Sequence, residues 1–214
     1  MATKLGIFNS ALAELGQREL VSLTDAIESR RVLSRLWDAG LVRYCLEQGA
    51  WNFAVRAVKS TDDPPAPAVG FLYRHAKPSD WIRTVRISAY PTFIPRLDVY
   101  RDEGQYWYAD YDELYIEYIS SHPSYGGNMD VWPESFTRYV VLYLAAQAAS
   151  RLLVFPEAQR LLRGMDGLAM RVVGALRSAK SRDASNQPTE FSPLSSWARS
   201  RQNQSWNTNT DKNG

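Results

Sequence analysis

Two histidines, one cysteine and one run of interleaved aromatic and acidic residues are what this 214-residue chain offers to chemistry. His75 and His122 have no second ligand at metal-binding spacing, and a lone Cys45 excludes both a cysteine-based zinc site and an intrachain disulfide. No G-x-S-x-G context supports a serine nucleophile, and neither a P-loop nor a G-x-G-x-x-G run supports a nucleotide site. The remaining candidate is QYWYADYDELYIEY, residues 105–118. Aromatic rings stack on sugar faces and paired carboxylates cleave glycosidic bonds, so carbohydrate binding or cleavage through Asp110, Asp112 and Glu113 is one reading. The other is structural, because aromatic residues favour strands while Asp and Glu occupy turns and outward positions. The residues give no warrant for a catalytic site, a cofactor or a metal.

Three tryptophans carry readings of a different kind. Trp51, with Asn52 and Phe53 just after a helix end, reads as an apolar plug closing a helical bundle, with a ligand clamp as the alternative. Trp197 and Trp206 lie in a polar stretch, and tryptophan there gains most when a partner buries it.

The elements that must position these residues follow from periodicity. Leu5, Phe8, Leu12 and Leu15, widened by Ile7 and Ala11, predict a helix that Gly16 stops. Thr24 or Asp25 is expected to cap a second helix, with Glu28 completing a capping box on Asp25. That helix carries Val32, Leu33, Leu36, Trp37, Leu41, Tyr44 and Cys45 on one face, and Gly49 ends it. Gly40 inside it costs about 1 kcal/mol relative to alanine, which points to a close helix–helix contact.

DDPPAPA, residues 62–68, marks a boundary, since each proline removes a donor and fixes φ. Short β-type runs follow: GFLYRH, WIRTVRIS, RLDVYR, QYWYAD and ELYIEYIS. Glu103-Gly104 predicts a hairpin turn, and ELYIEYIS a strand buried on both faces. After a loop at 120–130, Pro133 suits a first helical turn, and Phe136, Val140, Val141, Leu144, Ala145 and Ala148 line a helix. Phe155-Pro156 begins the next helical region, residues 157–180. The expected class is α+β: an antiparallel helical bundle of residues 1–59 and 133–180, an inserted small antiparallel β domain at 60–132, and a flexible or extended docking tail at 181–214.

Charge is divided along the chain. Residues 96–119 hold seven acids and two arginines, whereas 151–182 hold seven basic residues and two acids. Two faces for two partners is one consequence, and two solvated faces the other. Net charge is only +2, so composition by itself does not point to nucleic acid. The opening residues lack a signal-peptide pattern and no apolar run reaches about 18 residues, so a cytoplasmic origin without a membrane anchor is expected.

Taken in order, four passages are similar to one family. They are NSALAELGQRELVSL, the Gly49, Trp51, Phe53 box after a long helix, YRHAKPSDWIR, and a Pro-Glu-x-Phe helix running into LAAQAASRLL. With them the chain resembles the tail tubular protein A family of short-tailed bacteriophages, the head-to-tail adaptors below the portal. The likeness spans about residues 6–180, and the third passage departs from it by lysine–proline where leucine–proline is common. The resemblance implies a helical bundle with an inserted β domain and no shared catalytic residues. It also implies a virion protein forming a homo-oligomeric ring of twelve copies between a portal and a tail nozzle, through which double-stranded DNA passes without specific binding.

That role carries expectations for particular residues. A DNA conduit gains by not gripping phosphates, so Asp98, Asp102, Glu103, Asp110, Asp112 and Glu113 are expected to face the lumen or the nozzle. Arg160, Arg163, Arg171 and Arg177 are expected at the portal or between subunits, and Phe191, Trp197, Arg199, Arg201 and Trp206 in a tail that clamps the portal. A tail-associated carbohydrate-binding or polysaccharide-degrading protein is the alternative.

Overall fold

The structure, a computed structural model, describes residues 2–65, 67, 70–163 and 167–186. It is an α+β arrangement of helices and two small antiparallel three-stranded sheets.

Helix α1, Lys4–Glu14, starts where the Thr3 hydroxyl accepts the Gly6 N–H at 3.1 Å and ends as Gly16 turns to φ +63°. It buries Ile7, Phe8, Ala11 and Leu12 of the predicted stripe, with Leu15 buried just after it and Leu5 only half-buried. Helix α2, Glu28–Leu36, has no side-chain cap. The expected Asp25 cap points backwards instead, its carboxylate accepting the Val21 and Ser22 N–H groups at 2.8 and 3.1 Å. Asp25 therefore closes its own preceding turn, and Glu28 contributes only as an acid in the first turn.

A π-type turn at Trp37–Leu41 joins α2 to α3, Val42–Glu47, with Gly40 at φ +96°. A Cβ on Gly40 would meet nothing within 4 Å, so the expected close helix contact is absent. The glycine is there for its backbone angle.

Strand β1, Val55–Thr61, comes before the proline-rich break, so the sheet takes residues 55–59, which the expected domain bounds gave to the helical bundle. The other strands are β2, Tyr73–Ala76; β3, Trp81–Ser88; β4, Arg101–Glu103; β5, Tyr106–Ala109; and β6, Glu113–Ser120. One sheet has the order β1-β6-β3, the other β2-β5-β4. Gly104, at φ +55°, makes the expected β4–β5 hairpin. Of RLDVYR only the last residue is in a strand, because Leu97 instead donates its N–H to the Ile87 carbonyl at 2.8 Å from outside the ladder.

Helix α4, Glu134–Leu152, has Pro133 as its cap residue, one position before its first turn. It buries all six residues of its expected stripe, and α1, α2, α5 and α6 pack on it. The predicted 157–180 helix is two: α5, Phe155–Leu162, and α6, Leu168–Ser185, the latter starting after Gly167. Helix α6 runs five residues into the segment expected to be tail.

Two cores result. The larger joins the helices to Ile82 and Ile119 of the first sheet, and the smaller lies between the sheets around Ile87, Trp107, Leu114, Ile116 and Tyr118. Strand β6 serves both, as its two-sided apolar pattern predicts.

Candidate functional site

The groups best able to do chemistry are occupied by structure. Cys45 is fully buried, and burial pushes its thiol up to about 12 despite an opposing hydrogen bond with Tyr139. A thiol held protonated is no nucleophile. His75 is fully buried, with Nε2 2.9 Å from the Tyr111 carbonyl and no partner for Nδ1. The His122 Nδ1 accepts the Ser124 N–H at 3.1 Å, in the loop after β6. Among the described residues no three of His, Cys, Asp or Glu converge as a metal site, and no helix is long and apolar enough to cross a membrane.

Residues of the four passages fasten the fold, and those of the second and fourth meet. Asn9 in α1 binds both backbone groups of Leu20, donating to its carbonyl at 3.0 Å and accepting its N–H at 2.9 Å. Trp51, with its indole N–H donated to the Cys45 carbonyl, lies 4.9 Å from the Phe136 ring, as does Phe53. Gly49 is needed there, because a Cβ would come within 2.8 Å of the Trp51 ring. Trp51 is thus a plug rather than a clamp, with 1% of its surface exposed.

Asp80, from the third passage, forms the joint between β3 and the other two strands of the first sheet. It binds Arg56 of β1 at 3.0 Å, Tyr118 of β6 at 3.2 Å, and Ser120 of β6. Burial works to raise its pKa, but the Ser120 hydrogen bond and the Arg56 guanidinium outweigh it and hold the carboxyl below the usual range. Lys77, from the same passage, lies under Trp81 with Nζ 4.0 Å from the ring centroid and paired with Asp102. Thr84 ties this cluster together: its hydroxyl accepts from the Trp81 and Trp107 indoles at 3.2 and 2.9 Å and donates to Asp102 at 2.7 Å.

The acidic candidates separate into two groups. Asp102 is committed to Lys77 and Thr84, Glu103 faces Arg101 at 3.7 Å, and Glu113 pairs with Lys59 at 2.7 Å. Asp98, Asp110 and Asp112 are exposed and in no ion pair among the described residues. Asp110 accepts the Leu72 N–H at 3.0 Å. The aromatic run is likewise divided: Trp107 and Tyr118 are fully buried, Tyr106, Tyr108 and Tyr115 are half-buried and Tyr111 is exposed in the turn, so the run does not present one continuous stacking surface.

Arg160 and Arg163 are exposed on and just after α5, and Arg177 on α6. Arg171 differs, because it pairs with Glu14 of α1 at 2.6 Å and so is used within the chain. Phe191, Trp197, Arg199, Arg201 and Trp206 lie outside the described residues.

Sequence reasoning missed two surfaces. One is a groove of about 340 Å³ between α4 and α6, floored by Leu142, Gly174 and Ala175 and rimmed by Arg138, Arg171 and Arg182. The other is a set of exposed apolar side chains at the start of α5 and on α6: Val154, Phe155, Met170 and Val173, exposed by 68%, 75%, 56% and 42%. Gly174, three and four positions from Arg171 and Ser178, was a signal for the groove, since a small residue on a helix face leaves room beside it. No protein-family model matches the chain, and no curated protein matches it.

Proposed function

We propose that this chain is a structural head-to-tail adaptor of a short-tailed phage virion, forming a ring of twelve copies between the portal and the tail nozzle. In this reading the helices make an antiparallel bundle with the β elements as an inserted domain. The observation that carries it is where the passages fall: Trp51 and Phe136 meet across 85 positions of sequence, Asp80 ties the start of β3 to β1 and β6, and Asn9 fastens the segment that follows α1. Motif residues at joints specify a shape, as an adaptor requires, rather than a reaction centre.

Two further features favour assembly. Val154, Phe155, Met170 and Val173 are large apolar side chains left exposed near α5 and on α6, and a partner chain would gain by covering them. Asp98, exposed and in no ion pair among the described residues, keeps unneutralised charge at the surface, which suits a wall that DNA must pass without sticking. The docking tail, expected at 181–214, would clamp the portal through Phe191, Trp197 and Trp206, aided by Arg199 and Arg201, while Arg160, Arg163 and Arg177 face the portal or a neighbouring copy, Arg171 being taken by Glu14.

Electron microscopy of the protein mixed with its portal ring tests the reading. A second symmetric ring stacked on the portal is expected. An intact portal that stays bare beside the folded protein would overturn it.

A further inference from the structure

The turn between β5 and β6 is fixed at three successive residues. The Asp110 carboxylate accepts the Leu72 N–H at 3.0 Å, the Tyr111 carbonyl lies 2.9 Å from Nε2 of the buried His75, and the Asp112 carbonyl accepts the Asp62 N–H at 2.9 Å. These bonds hold the turn while Tyr111 stays 46% exposed, and Leu72, bonded to Asp110, is 64% exposed. Asp110 and Asp112 flank Tyr111, neither in an ion pair among the described residues. The result is a rigid aromatic knob with a carboxylate on either side.

The α4–α6 groove has the opposite form. Its floor is Leu142, Gly174 and Ala175, and a Cβ on Gly174 would meet nothing within 4 Å. Arg138 and Arg182 stand on its rim with no acid bound to either among the described residues, while Arg171 is held by Glu14. Glu134 is the one acid of the lining. A hydrophobic floor between two unpaired guanidiniums matches a tyrosine between two carboxylates, in shape and in charge. Tyrosine and arginine are also the residues most often found at the energetic centre of interfaces.

Knob and groove do not meet within one chain: none of Asp110, Tyr111 and Asp112 lines the groove, whose described lining comes from α4 and α6 alone. We infer that the Asp110-Tyr111-Asp112 turn of one copy docks in the α4–α6 groove of the next copy. A contact between two different patches is heterologous, and repeated by rotation it closes a ring. The inference rests on the ring reading above for its expectation of self-association, and adds which surfaces meet. Because the turn is held before it binds, little ordering entropy opposes docking.

Sedimentation velocity on the full 214-residue chain, over a concentration series, tests it. Gly174→Leu fills the groove and, in a helix interior, improves local propensity. Asp112→Arg reverses the knob, and Arg138→Asp with Arg182→Asp reverses the rim. Each is expected to weaken association at least ~tenfold. The chain reversed on both sides is expected to associate again, and Asp98→Arg to behave as wild type. Circular dichroism of each variant establishes folding before it is compared. Association that ignores Gly174→Leu and both one-sided reversals, or a doubly reversed chain no better than these, overturns the contact and leaves the ring reading standing. A wild-type chain that stays monomeric overturns the contact, and a bare portal in microscopy then removes the ring reading separately.

Discussion

Trp51 and Phe136 meet edge to face, ring centroids 4.9 Å apart and planes 64° apart, where the chain leaves its first helices for the first sheet. Trp132 approaches Phe136 from another side, 5.1 Å away at 86°. Phe53 completes the group. The helical core and the start of β1 are fastened through these rings.

Trp51→Ala and Phe136→Ala are each expected to destabilise the chain by about 3–5 kcal/mol, the range for removing a buried aromatic side chain. Chemical denaturation followed by circular dichroism measures it. The double variant is expected to lose less than the two combined, by about 0.5–1.5 kcal/mol, because the rings contact one another. Strict additivity would show that the contact carries no energy of its own.

Asp80 gives the first sheet a pH dependence. Its carboxyl titrates below its ordinary value when folded, so the unfolded chain binds the proton more readily and stability rises with pH across that interval. The contribution is complete above about pH 4–5 and is lost as pH falls through the folded pKa. Asp80→Asn is expected to be less stable at pH 7 and to show a flatter stability curve between about pH 5 and pH 3. Thermal unfolding across that range checks both points.

Thr84→Val removes one hydroxyl and leaves two indole N–H groups without their acceptor. Asp102 loses a donor as well. A loss of about 1–3 kcal/mol is expected, with a change in near-ultraviolet dichroism from Trp81 and Trp107. An unchanged aromatic spectrum would argue against the Thr84 bridge.

Cys45 is expected to resist a thiol reagent in the native protein and to react only as the chain unfolds. Labelling kinetics at neutral pH, with and without denaturant, measure this. Prompt stoichiometric labelling of the native chain would contradict its burial.

The helices were legible in sequence because each carries its own pattern. The stripes of α1 and α4 are local, and all the residues they name are buried except Leu5, which is half-buried. The β4–β5 hairpin was legible for the same reason, since Gly104 marks its turn. Strand β1 was not, because VRAVKST alternates only weakly and its identity depends on β6, whose Ile119 pairs with Val55. Gly40 misled in a related way: glycine's cost in a regular helix says nothing about a site where φ is +96°. The acidic run was read as one surface, yet Lys59 and Lys77, distant in sequence, claim Glu113 and Asp102. Which charges stay free is a property of tertiary pairing, and no local pattern carries it.

At its far end α6 is tied down. Both oxygens of the Asp183 carboxylate lie 3.1 Å from the Asn52 N–H, and the Asn52 side chain donates to the Asp183 carbonyl at 2.8 Å. Asn52 stands three residues before β1. A pull on the last turn of α6 therefore has a short route into the first sheet, through one side-chain clamp and one tight turn, bypassing the helices packed on α4. The clamp makes the chain's two halves share load, so tension at one end is felt as shear along β1 and β6.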